Sequence, residues 1–187
     1  MSLVFPELQF FLDNKVDQVK FVDRTFNCNH EHAYEIWKYL LEHDNGITNF
    51  HFEVAADLLR EEDFALFAQM RKGLIQLEIG IQSTYPDTIT EIRRVMDVGK
   101  VAECVARVKK MHNIHQHLDL IAGLPFETFA QFQQSFNDVY AMRPDQLQLG
   151  FLKVLKGSYM EEKKEDYGII STSEPPYEVL ATKWLSY

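Results

Sequence analysis

Apolar positions along the chain alternate between two periods, and the alternation repeats. Gln18-Val19-Lys20-Phe21-Val22-Asp23 is a short run of β character ending on a polar residue. Behind it, Ala33, Ile36, Trp37, Leu40 and Leu41 predict a helix over 31–42, closed by Asn45-Gly46. Asn49-Phe50-His51-Phe52-Glu53-Val54 reads as the next strand, and Phe64, Leu66, Phe67 and Met70 mark a helix over 61–72 ended by Gly73. The same patterning predicts a third strand over 74–81, helices over 86–94 and 98–112, and a fourth strand over 117–123. A helix over 126–141 and a fifth strand over 147–152 complete the series. Strands separated by helical crossovers of about thirty residues form βαβ units. The expected fold class is therefore α/β with parallel strands, a partial TIM-like (β/α) barrel occupying 1–157.

Each expected strand runs out on a polar residue or glycine: Asp23, Glu53, Gln82, Gly123 and Lys153. In parallel β/α folds ligands bind at those carboxyl ends, which locates the site before its chemistry is known. Beyond Gly157 the pattern changes. Glu161-Glu162-Lys163-Lys164-Glu165-Asp166 is a charged run, followed by the turn-rich Ser173-Glu174-Pro175-Pro176. Residues 158–187 are expected to be a charged linker and the start of a C-terminal helical segment. That helix would begin at Tyr177 and reach Tyr187 in mid-pattern, as in a chain that continues.

Composition narrows the function classes. A formal charge of −9 with scattered Lys and Arg argues against a nucleic-acid surface. Two distant cysteines, Cys28 and Cys104, make no disulfide framework and no C-x-x-C, which points to a reducing, cytoplasmic location. No apolar run approaches the ~20 residues of a membrane span, and Met1-Ser2-Leu3 opens no signal peptide. The 14 Phe suggest a large aromatic core or an apolar cavity.

Three segments carry more specific information. They are Phe21-Val22-Asp23-Arg24-Thr25-Phe26; Gly80-Ile81-Gln82-Ser83 with Ile92-Arg93-Arg94 downstream; and Asp119-Leu120-Ile121-Ala122-Gly123-Leu124-Pro125-Phe126-Glu127-Thr128. In this order, over 16–157, they resemble the radical S-adenosylmethionine (SAM) superfamily. The similarity is to the branch of oxygen-independent coproporphyrinogen oxidases and cobalamin-binding enzymes, anaerobic magnesium-protoporphyrin monomethyl ester oxidative cyclases among them. The resemblance implies SAM and a [4Fe–4S] cluster in the full-length protein, with cobalamin in some members. It also implies site residues. Glu53 would lie near the SAM ribose and amino group, with Asp23 as a looser match for the amino group. Gln82 would make a polar contact, Arg94 would face the methionyl carboxylate, and Asp119 would bind the ribose hydroxyls. Gly123 to Glu127 would border the adenine, with Phe126 in place of the family's usual glycine. These types suit a sulfonium zwitterion, whose ammonium and hydroxyls need carboxylates and whose carboxylate needs Arg. Other roles stay open: capping or ion pairing for Glu53 and Asp119, a turn or N-cap for Asp23, and a surface position for Arg94 with Arg93 inward.

The family's C-x-x-x-C-x-x-C loop has no counterpart in this sequence. By the resemblance, the first strand here matches the family's second, so the expected chain lacks the first β/α unit, the cluster loop and any cobalamin-binding domain. Such a chain would bind no cofactor by itself and be inactive alone. Two rivals remain. His115, His117 and Asp119 alternate along one strand face and suit a metal-dependent hydrolase on a β/α barrel, while Cys28, His30 and His32 form a weaker metal set. A non-catalytic binding scaffold is the second.

Overall fold

The computed structural model describes residues 1–186. A helix α1 (Val4–Asp13) precedes a sheet of β1 (Gln18–Lys20), β2 (Asn49–Glu53), β3 (Ile75–Gln82), β4 (His115–Ala122) and β5 (Gln146–Phe151). The connections carry α2 (His30–Glu42), α3 (Glu61–Phe67), α4 (Pro86–Glu91), α5 (Val98–Met111) and α6 (Phe129–Ala141). The strands are hydrogen-bonded in the sequential order β1-β2-β3-β4-β5. The first two pairs are parallel, with Val19 opposite Phe50 and Phe52 opposite Leu77. Sequential order is that of a singly wound β/α barrel, and five strands are too few to close one, which takes eight. The expected fold class is the one observed. Among the described residues no helix is long and apolar enough to cross a membrane.

The chain divides into two compact units, Met1–Gly80 with Asp97–Leu118 and Pro144–Gln146, and Ile81–Met96 with Asp119–Arg143 and Leu147–Tyr187. The first unit is built on aromatic packing. Phe50, Phe52, Trp37, Phe67, Ile36 and Leu40 are fully buried. The Phe52 ring stacks on Phe21 at 4.5 Å and meets Phe26 at 4.5 Å, and Trp37 meets Phe67 edge-on at 4.9 Å. Burying one such side chain removes roughly 150–250 Å² from water, about 4–6 kcal/mol as an upper bound. Strand alternation then decides the other face: between Phe50 and Phe52 lies His51, and after Phe52 comes Glu53. On β3, Ile75, Leu77, Ile79 and Ile81 are buried while Gln76, Glu78, Gly80 and Gln82 alternate with them.

The second unit has its own core of Leu124, Leu152, Val154, Tyr167 and Ile169, with Ile92, Ile121, Met160, Val179 and Trp184 against it. It also contains the short helix α7 (Tyr159–Glu162) and the antiparallel pair β6 (Ile170–Ser171) and β7 (Val179–Ala181). Here the structure corrects the sequence reading. The helix expected from Tyr177 is a strand, paired to Ile170 and Ser171 and bridged through Glu178 to Lys153. Three or four apolar residues bear no period of their own, so the pairing partner decides. Tyr187 lies outside the described residues.

Candidate functional site

In the first unit, polar side chains gather on the face of the sheet opposite the aromatic core. Glu78 accepts from Lys20 Nζ at 3.0 Å and lies 2.8 Å from His51 Nε2. Lys20 also approaches Glu53 at 3.9 Å. Glu53, at the end of β2, has its carboxyl pushed up, first by burial and then by the neighbouring Glu78 charge. Burial pushes His51 and His117 down, and Lys20 adds to this at His51. His51, Glu78 and His117, from three consecutive strands, have ligand-capable atoms within 4.8 Å of one another. They form the single such group of three among the described residues.

Both sequence-derived metal sets are therefore corrected. His117 groups with side chains across the sheet, without His115 or Asp119, because strand register brings lateral neighbours closer than residues two apart along one strand. His30 is 3.0 Å from the buried Asp63, and its neighbour Asn29 caps α2 by accepting from the His32 N–H. Cys28 is exposed and free. Asp23 lies exposed in the segment after β1.

The second unit holds the other expected site residues. Gln82 ends β3 at φ +68°, and the Ser83 N–H donates to the Ile81 carbonyl across it at 2.9 Å. That is a γ-turn of the rare positive-φ kind, a strained way to leave a strand. Ser83 Oγ then donates to Glu127 Oε1 at 2.6 Å, as does Ser135 Oγ at 2.8 Å. Glu127 is wholly enclosed, and its Oε2 has no hydrogen-bond partner among the described residues. Burial raises its carboxyl, against the opposing effect of the two hydroxyls. Thr88 Oγ1 donates to the Pro125 carbonyl at 2.7 Å, tying α4 to the segment after β4.

Gly123 has φ +92°, a backbone conformation that favours glycine. Three residues on, Phe126 also has a positive φ, +63°, the conformation for which glycine is suited. Its ring packs 4.8 Å from Trp184. Ala122 and Gly123, with Phe151, Leu152 and residues of β7, wall a mostly apolar cavity of about 240 Å³. Asp119 is half-buried on β4. Arg93 is exposed and stacks its guanidinium 3.9 Å from the Tyr159 ring centroid, while Arg94 is half-buried in the loop after α4.

Glu78, His51 and Lys20 escaped the sequence reading although a signal existed. In Phe50-His51-Phe52-Glu53 and Gln76-Leu77-Glu78-Ile79-Gly80-Ile81-Gln82, alternation puts His51 on the face of Glu53 and Glu78 on that of Gln82. Ser83 stood in the Gly80-Ile81-Gln82-Ser83 segment without a role of its own, and Ser135 carried no signal.

An iron–sulfur cluster finds no thiolate set in this chain. Cys28 is exposed on a single turn, and Cys104 is buried in α5, where burial keeps its thiol protonated. For the nucleoside end of SAM the second unit offers a mostly apolar cavity beside Gly123, at the carboxyl end of β4.

The family model of the radical SAM superfamily matches residues 5–139. The chain is 24% identical to the oxygen-independent coproporphyrinogen-III oxidase-like protein HemZ of Bacillus subtilis, over 78% of this chain and 36% of the relative. Its fold is similar to the radical SAM methyltransferase TsrM of Kitasatospora setae, a structure with cobalamin and a [4Fe–4S] cluster bound. The TM-score is 0.75 at 14% identity, covering 98% of this chain and 37% of that one. It is also similar to coproporphyrinogen III oxidase (HemN) of Escherichia coli, with a TM-score of 0.65 at 18% identity over 86% of this chain and 40% of that one. The chain thus spans about 36–40% of the length of these proteins.

Proposed function

Since the chain belongs to the radical SAM superfamily, we propose that it is the SAM-binding portion of a radical SAM enzyme and that its second unit receives the nucleoside end of SAM. The observation carrying this is the mostly apolar cavity of about 240 Å³ at the carboxyl end of β4, walled by Ala122, Gly123 and Phe151. In this reading Asp119 accepts from the ribose hydroxyls and Arg94 pairs with the methionyl carboxylate. Gln82, turned out of its strand by the γ-turn, supplies a polar contact. Glu127 acts by positioning, since its hydrogen bonds hold Ser83 and Ser135 and so fix the turn that presents Gln82.

SAM bound in such enzymes is the source of the radical that takes hydrogen from substrate. Its reductive activation needs a cluster for which this chain lacks ligands, so these residues are assigned binding and positioning alone. Oxidation of a porphyrinogen-like substrate is favoured over cobalamin-dependent methyl transfer. The sequence relative supports the former, and only a likeness of fold supports the latter.

The test uses the protein encoded by the complete reading frame, reconstituted anaerobically with iron and sulfide. It should cleave SAM to 5′-deoxyadenosine, and Asp119→Asn should slow that cleavage about 10- to 100-fold, the worth of one charge-assisted hydrogen bond. A verified cluster without 5′-deoxyadenosine would overturn the proposal.

A further inference from the structure

His51, Glu78 and His117 come from β2, β3 and β4, one residue per strand, and their side chains converge on a single point of the sheet face. Two imidazoles and one carboxylate are ligands for first-row divalent ions, and a 2-His-1-carboxylate set leaves coordination positions open. Ligands built on adjacent strands are held more rigidly than ligands on loops. The Nε2 of His51 and the Oε2 of Glu78 are 2.8 Å apart, and all three donors lie within 4.8 Å. A tetrahedral ion at metal–ligand distances of about 2.0–2.2 Å needs donors roughly 3.3–3.6 Å apart, so side-chain rotations alone suffice.

A cation already stands at this point. The Lys20 ammonium is 3.0 Å from Glu78 Oε2, yet its side chain is 49% exposed against 12% for Glu78 and 9% for His51. The acceptors are fixed and enclosed, and the ammonium is on a long stem that can withdraw to water. We propose that His51, Glu78 and His117 bind a divalent transition-metal ion, zinc by preference, and that Lys20 neutralises Glu78 when the metal is absent. The site is independent of the SAM reading, since none of its three ligands has a role there.

Cobalt(II) is the probe. The purified chain, stripped with chelator, is titrated with CoCl2 and the visible d–d absorption is followed. One ion per chain should bind saturably and be displaced by zinc. Glu78→Gln and His117→Gln should each weaken binding about 100-fold or more, and Lys20→Met should tighten it. Cys28→Ser and His30→Ala should leave it unchanged. Far-UV circular dichroism of each variant separates loss of ligand from loss of fold, and the gain at Lys20→Met gives a readout that unfolding cannot imitate. No saturable cobalt on the folded chain, binding that survives the Glu78→Gln/His117→Gln double variant, or binding lost with Cys28→Ser would each overturn the proposal.

Discussion

Glu127 has no exposed surface, yet two serine hydroxyls point at one of its oxygens while the other has no partner. A carboxylate so placed gives up its solvation for two hydrogen bonds, and burial raises its pKa above the ordinary 4.5. Between 4.5 and the raised value the folded chain holds a proton that the unfolded chain has released, so stability falls as pH rises through that window. Glu127→Gln keeps the shape and acceptor oxygen and removes the titration. Its thermal midpoint should therefore gain on the parent's as pH rises above 4.5. A difference independent of pH would mean that the enclosed carboxyl titrates as it does in the unfolded chain. At this scale the sequence was informative where a residue closes a strand, as with Gln82 and Gly123. It was silent on the Ser83–Glu127–Ser135 knot, because the partners are 44 and 8 residues apart and only the fold brings them together.

The elements differ in how much of their stability is local. α2 is signed at its N-terminus and along one face: Asn29 at its N-cap accepts from the His32 N–H, and Ala33, Ile36, Trp37 and Leu40 give it one buried stripe. Asn29→Ala should cost about 1 kcal/mol of unfolding free energy by urea titration, with an unchanged denaturant slope. α3 stops at Phe67, short of the expected 61–72, because the Gln69 and Met70 N–H groups close on carbonyls three residues back. α1 was not anticipated. Only Leu8 and Leu12 are buried on it, and Pro6 sits in its first turn, where proline is tolerated. The metal cluster belongs to this scale too. Alternation alone aligns His51 with Glu53 and Glu78 with Gln82, but which strand lies beside which, and at what offset, is set by hydrogen bonding such as that opposing Glu53 to Glu78.

Across the molecule, the order of strands was legible because each apolar run is framed by turn residues and each crossover is helical. The division into two compact units was not, since three of its five boundaries fall inside β3, β4 and β5, where no composition shift marks them. Each unit nevertheless holds one of the chain's two tryptophans. Trp37 is wholly enclosed among Phe26, Phe52 and Phe67, and its indole N–H has no hydrogen-bond partner among the described residues. Trp184 is half-buried against Phe126 and Tyr167, beside Leu185 of the cavity wall. The chain thus carries two built-in fluorophores in unlike surroundings, one dry and one near solvent. Trp184→Phe should leave only blue emission that vanishes with the aromatic core, and Trp37→Phe should leave a redder signal. Urea curves of the two variants, recorded by emission wavelength, would report the melting of each unit by its own light.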